Sequence, residues 1–243
     1  MSLDSIRIVL ARPTHPGNIG AAARAMKNMG LGQLALVAPE RYPDPEATAL
    51  AADAGDVLAR AHVHATLEEA IGDCTLVIGT SARNRRIDWP ALDPRACARR
   101  LVEAAAAGPV ALLFGQERTG LTNDELDRCQ YLVTIPTSTA YPSINLAGAV
   151  QILAYEIFTA GGVGAQSSEA REQPLATAEE MQRLYEHLEQ VLIETGFLDP
   201  ANPRLLMRRL ARLFGRAGLD RNELNIVRGI LTSVQQHRTR RES

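Results

Sequence analysis

Four short stretches of this 243-residue chain combine residue types that could do chemistry: RPTHPGNIG at 12–20, GTSARNRR at 79–86, GQERTGLT at 115–122 and PTSTAYPSIN at 136–145. Each follows an apolar run and mixes glycine with hydroxyl, amide or guanidinium groups, the set from which phosphate- and nucleotide-binding loops are built. Any one of them also reads as a plain strand-to-helix turn, but turns alone do not require four such loops. Gly115 and Gly120 have the spacing of the triphosphate-binding P-loop and Thr122 has its hydroxyl, yet Leu121 stands where that loop needs a lysine. No GxGxxG follows a strand either, so nucleotide hydrolysis and the usual dinucleotide fingerprint are disfavoured. Arg24 is a single cation in the run AAARAM, and Asn18 is placed to cap the helix that carries it. His62 and His64 lie two apart in a strand and read as ordinary residues; no cluster with metal-ligand spacing is present.

Those loops need a scaffold, and the pattern supplies one. Apolar runs at 6–11, 33–38, 62–66, 75–81, 110–115 and 131–136 alternate with helical patterns near 18–30, 46–60, 67–72, 94–107 and 122–128. Strands of this kind, near-continuously apolar and separated by helices, predict an α/β fold: a mostly parallel sheet covered by helices on both faces. In such sheets ligands bind beyond the carboxyl ends of the strands, where all four polar loops fall. Thr66 with Glu69 and Thr122 with Glu125 have capping-box spacing. The helix expected at 144–158 is apolar almost all the way round, so it packs on more than one side, against the sheet and a second surface such as another subunit.

The composition changes at GGVGAQSSEAREQP, which reads as a linker over 161–174 between a domain at 1–160 and a helical one at 175–243. Thr177 and Glu180 predict a capped helix ending at Gly196, Asn202–Pro203 predicts the start of a second helix closed by Gly215, and Asp220 with Glu223 starts a third. The formal charge is −2, but it is uneven: −3 over 1–165, −6 over 166–200 and +7 over 201–243. A basic C-terminal part fits a chain that meets a polyanion. Three widely spaced cysteines, Cys74, Cys97 and Cys129, argue for a reducing compartment and against a disulfide frame. With no secretory pattern and no apolar run near the ~20 residues of a membrane span, the expected location is cytoplasmic, away from membranes.

Taken in order, NIGAAAR (Asn18, Gly20, Arg24), LLFGQERTGLT (Gly115, Glu117, Gly120) and YPSINLAGAV (Ser143, Asn145, Leu146) resemble the three motifs of the SPOUT superfamily of methyltransferases, in its 2′-O-ribose branch. The nearer likeness is to the TrmJ-like tRNA methyltransferases, whose pattern includes the GTSAR loop and a helical extension. The resemblance implies a C-terminal trefoil knot formed near 110–150, a homodimer whose subunits complete each other's site, and S-adenosyl-L-methionine as cofactor. It implies a cofactor pocket lined by Thr80, Ser81, Ala82, Gly115, Ile135, Pro142, Ser143, Ile144 and Leu146. Glu117 and Asn145 read as positioning residues in that pocket. Pro142 replaces a small polar residue of the family pattern and brings no amide hydrogen.

The same resemblance nominates Arg24 beside the ribose hydroxyl, with Ser143 and Asn18 in the catalytic set, and tRNA as partner, methylated at the pyrimidine of position 32. The target needs a phosphate backbone and a reachable 2′-hydroxyl, for which Arg83, Arg85, Arg86 and the C-terminal arginines are candidate contacts. With 4% aromatic residues, base stacking is limited, Tyr141 being the candidate. Two rival readings remain at this point: a nucleic-acid-binding regulator with a helix-turn-helix at 203–214 and 221–237, and an RNA-binding protein without catalysis.

Overall fold

The computed structural model describes residues 3–81, 90–141, 143–162 and 174–242. Two compact units divide the chain, Met1–Ala170 and Arg171–Ser243.

In the first unit the apolar runs become seven strands: β1 (Ile6–Ala11), β2 (Gln33–Val37), β3 (His62–His64), β4 (Leu76–Thr80), β5 (Ala91–Leu92), β6 (Val110–Phe114) and β7 (Tyr131–Val133). They form one sheet in the order β3-β2-β1-β6-β4-β7-β5, and every pairing is parallel. Its central strands have solvent on neither face: Ile8, Leu10, Ile78, Leu112 and Leu113 are fully buried, which is why they read as unbroken apolar runs. In register, Ile8 lies beside Leu34 on one side and Leu112 on the other.

The helices of this unit are α1 (Pro16–Asn28), α2 (Pro45–Ala51), α3 (Gly55–Ala59), α4 (Leu67–Ile71), α5 (Pro94–Ala105), α6 (Asn123–Asp127) and α7 (Leu146–Gly162). α1 buries Ile19, Ala22, Ala23, Ala25 and Met26, its small residues allowing close approach. Gly20 is the tightest point, since a Cβ there would lie 2.1 Å from the carbonyl oxygen of Ala47 in α2. Asn145 caps α7, its Oδ1 accepting from the amides of Ala147 (2.9 Å) and Gly148 (3.3 Å).

Several local expectations are corrected. Asn18 is not a cap: α1 begins at Pro16, whose fixed φ suits the first helical position, and His15 stands at the cap without a side-chain bond. The helix expected over 46–60 breaks into α2, a 3-10 turn Ala52–Ala54 and α3, because Ala52 adopts φ 48° and diverts the chain. β5 is two residues long and too short to show a pattern.

The second unit holds α8 (Ala178–Glu194), α9 (Leu206–Ala217) and α10 (Arg221–Glu242) around Met181, Leu184, Leu188, Val191, Leu224 and Leu231. The Thr177–Glu180 capping box is present, and Asp220 and Glu223 bond reciprocally. Asn202–Pro203 does not open α9; Asp199 holds a turn there by accepting from Ala201 N at 2.9 Å, and the helix starts at Leu206. α9 ends at left-handed Gly218 (φ 62°), not Gly215, so only residues 218–220 separate it from α10. Among the described residues no helix is long and apolar enough to cross a membrane.

Candidate active site

The polar loops meet at the carboxyl ends of the central strands. β1 lies beside β6, and β6 beside β4, so the loops after β1, β4, β6 and β7 share one end of the sheet. The chain leaves β1 toward β2 on one side while β6 and β4 lie on the other, and a crevice opens where the directions part.

One cavity of about 330 Å³ is lined there by Thr80 and Ser81, by residues 114–121, by Val133 and Ile135, and by Ser143, Ile144, Leu146 and Ala149. Its volume is at the lower end of the ~300–1,000 Å³ usual for small-molecule sites. Phe114, Leu121, Val133, Ile135 and Leu146 make apolar walls, and glycine, hydroxyl and amide groups supply the polar points. Gly115 has no alternative: a Cβ would meet Gly120 C and Leu121 N at 2.2 Å, because the loop doubles back on itself. Thr80 Oγ1 donates to Leu113 O at 3.1 Å, tying β4 to β6 at the rim.

Two carboxylates, one in this loop and one in α6, clasp the loop before α1. Glu117 accepts from Thr14 N (3.1 Å), Thr14 Oγ1 (2.9 Å), His15 N (3.2 Å) and Asn18 Nδ2 (3.1 Å). It therefore caps α1 from 99 residues away, taking the role a local side chain would have. Asn145 Nδ2 in turn donates to Asn18 Oδ1 at 3.0 Å, which joins the start of α7 to the same cluster. Burial pushes the Glu117 carboxyl up, but the donors from Asn18 and the backbone amides outweigh it and hold the group below its ordinary range.

The second carboxylate is Glu125. It receives a two-pronged bond from Arg12, Nε to Oε1 at 2.9 Å and a terminal nitrogen to Oε2 at 3.0 Å, and closes the capping box of α6 with Thr122. Its desolvation is likewise overcome by these donors, so it too stays ionised. Arg12 sits at φ 52°, a left-handed conformation a non-glycine residue holds only when its surroundings fix it.

Of the residues expected in the pocket, Thr80, Ser81, Gly115, Glu117, Ile135, Ser143, Ile144 and Leu146 all line this one cavity. Asn18 and Asn145 are beside it through Glu117. Ala82 and Pro142 lie outside the described residues, as do Arg83, Arg85 and Arg86. Arg24 is exposed on α1 and is not among the cavity-lining residues of a single chain. Tyr141 is exposed. Sequence reasoning missed Arg12, Thr14 and Arg118; the acids two and ten residues after Gly115 were the available signal, but nothing in the order of residues says which loop they hold. Burial pushes the Cys74 and Cys97 thiols up to about 12, and Cys129 higher, so none offers a thiolate near neutral pH. No group of three or more possible metal ligands occurs among the described residues.

A parallel sheet with a ligand-sized cavity at its switch point, walled by apolar side chains and a glycine loop, is the arrangement of an α/β protein with a site of small-molecule size at that point. Residues 5–155 match the SpoU rRNA methylase family, and residues 179–243 match the C-terminal domain of the tRNA methyltransferase TrmJ. The chain is 52% identical over 245 residues to the tRNA (cytidine/uridine/adenosine-2′-O-)-methyltransferase TrmJ of Pseudomonas aeruginosa, covering 96% of this chain and 95% of that one. It is 51% identical over 236 residues to the tRNA (cytidine/uridine-2′-O-)-methyltransferase TrmJ of Pectobacterium atrosepticum, covering 96% and 98%. The crystal structure of TrmJ from Z. mobilis superposes with a TM-score of 0.82 at 35% identity, over 94% of this chain and 98% of that one. The chain belongs to the SpoU methylase family, in its TrmJ branch, and is a methyltransferase.

Proposed function

We propose that the protein is a tRNA 2′-O-ribose methyltransferase that uses S-adenosyl-L-methionine to methylate cytidine or uridine 32 of the anticodon loop. The observation that carries the reading is one cavity shared by the loops after β4, β6 and β7, lined by the segments that resemble the second and third methyltransferase motifs, with Asn18 of the first motif tied to its wall through Glu117. Its apolar walls and hydroxyl rim fit an adenosyl group and a thioether better than a triphosphate, for which the P-loop lysine is missing. When bound, S-adenosylmethionine supplies an activated methyl group on a sulfonium. Thr80, Ser81, Gly115, Ile135, Ser143, Ile144 and Leu146 would hold it, with Ala82 and Pro142 as further positions implied by the motif.

What remains for the protein is to place the ribose hydroxyl, exclude water and let a proton leave. A guanidinium is a poor general base, so that role does not suit Arg24. A positional role does: its guanidinium grips the target nucleotide's phosphate and steadies the negative charge developing on the oxygen. Ser143, exposed at the cavity, passes the proton on or orients the hydroxyl. Asn18 acts through Glu117 and Asn145, fixing the start of α1 against that of α7.

The fold reading is completed by a trefoil knot near 110–150, and the site by a second subunit that brings its Arg24 to the cavity. Ile152, Tyr155 and Phe158 on the outer side of α7 are exposed apolar residues suited to that contact. The basic C-terminal helices grip tRNA in the cytoplasm. The test is to map the product: digestion of tRNA methylated by the purified protein should yield one 2′-O-methylpyrimidine, at position 32. A methyl group on a base, or on ribose outside the anticodon loop, would contradict the assignment.

A further inference from the structure

Among the described residues that line the cavity, only Glu117 and Arg118 are charged. Glu117 is saturated: four donors from Thr14, His15 and Asn18 fill its two oxygens, leaving it little hydrogen-bonding capacity for a ligand. Arg118 is the opposite case. Its side chain is exposed at the cavity and makes no ion pair or hydrogen bond among the described residues. The backbone beneath it is nevertheless held firmly. Gly120 N donates to Gln116 O at 2.8 Å, Thr119 Oγ1 donates to Gln116 Oε1 at 2.8 Å, and Gly120 takes the left-handed φ of 69° that closes the turn. A guanidinium anchored on a fixed turn, facing a ligand-sized cavity and holding no partner among the described residues, is available to an anion.

We infer that Arg118 is the counter-ion of the cofactor's amino-acid end, its guanidinium pairing with the α-carboxylate of S-adenosylmethionine. This rests on the cofactor reading proposed above. The carboxylate is that molecule's one anionic group, and the apolar walls already account for its adenosyl part. A planar two-pronged donor matches a carboxylate, and the neighbouring negative charge of Glu117 suits the cationic remainder of the ligand. A phosphate of RNA has the same chemistry for arginine, but Arg118 lines the same cavity as the apolar walls that suit the adenosyl part, which places it within one ligand's reach of them.

The experiment is calorimetric binding to the full chain with two probes, S-adenosylhomocysteine and methylthioadenosine. The second keeps adenosine and the thioether but lacks the carboxylate. Arg118→Met should weaken S-adenosylhomocysteine about tenfold, the scale of one charge-assisted pair, while methylthioadenosine stays within about twofold. Arg118→Lys should restore part of the loss. Equal weakening of both probes would assign Arg118 a purely structural role and overturn the inference. Unchanged S-adenosylhomocysteine affinity with weakened tRNA binding would overturn it in favour of a phosphate contact. Failure of the unaltered protein to bind either probe would overturn the cofactor reading itself, a result distinct from the other two.

Discussion

Asn18 Nδ2 donates to Glu117 Oε1 at 3.1 Å, so a residue in the first turn of α1 is fixed by a carboxylate from the loop after β6. Through Asn18 Oδ1 the same pair reaches Asn145 at the head of α7. Three segments far apart in sequence thus share one polar knot of contacts beside the cavity, and each hydrogen-bonding group in it satisfies another.

Removing the carboxylate charge should loosen this junction. Glu117→Gln keeps the shape but turns one acceptor oxygen into a donor that faces the amides of Thr14 and His15. A loss of about 1–3 kcal/mol in urea unfolding is expected, with weaker binding of S-adenosylhomocysteine because the cavity wall moves with it. Unfolding at the wild-type midpoint would show that the cluster carries no stability.

The pH dependence follows from the sign of the shifts. Glu117, Glu125 and Asp73 all ionise more readily in the folded chain than carboxylates ordinarily do: burial opposes this in the two glutamates but their donors win, while the Arg7 hydrogen bond leads for Asp73. Their contribution is complete above the ordinary carboxylate range near pH 4 and is lost as pH falls through the lower folded values. Thermal melts from pH 7 down to 3 should therefore show steeper acid destabilisation in the wild type than in Glu117→Gln. Parallel curves would remove Glu117 from the acid response.

Much of this was legible in advance, and the exceptions have a common cause. The parallel sheet showed because Ile6–Ala11, Leu76–Thr80 and Val110–Phe114 are buried on both faces and so lack polar alternation. The pocket showed because the glycine and hydroxyl residues recur in motif order. Asn18 was misread as a cap because the residue that caps α1, Glu117, lies 99 positions away, and local rules see only local donors and acceptors. The start of α9 was misread for a related reason: Asp199 claims the turn before Pro203 could begin a helix. Arg12 gave no signal, since its conformation and its partner Glu125 are both products of tertiary structure.

Arg12 and Glu125 offer a direct measure of that tertiary term. Their side chains are 34% and 12% exposed, so the two-pronged pair is partly shielded from water. A double-mutant cycle with Arg12→Met and Glu125→Gln should give a coupling of about 1–2 kcal/mol. A coupling near zero would make it an ordinary surface pair.

The close approach of α1 and α2 is testable by adding one carbon. Gly20→Ala places a methyl 2.1 Å from the Ala47 carbonyl oxygen, so backbone must shift, and a destabilisation of about 1–3 kcal/mol is expected. Gly55→Ala, whose Cβ would meet nothing within 4 Å, is the control and should be close to neutral or stabilising.

The proposed reaction is methyl transfer to tRNA ribose with Arg24 placing the substrate. The measurement that meets it most directly is transfer of labelled methyl from S-adenosylmethionine to unmodified tRNA under single-turnover conditions, with wild type and Arg24→Ala compared at tRNA concentrations that saturate both. The expected result is label recovered as 2′-O-methylated nucleoside with the wild type, and a rate at least about a hundredfold lower in the variant, the scale of one lost transition-state donor. Equal rates for the two proteins, or no label on tRNA that the wild type demonstrably binds, would contradict the account.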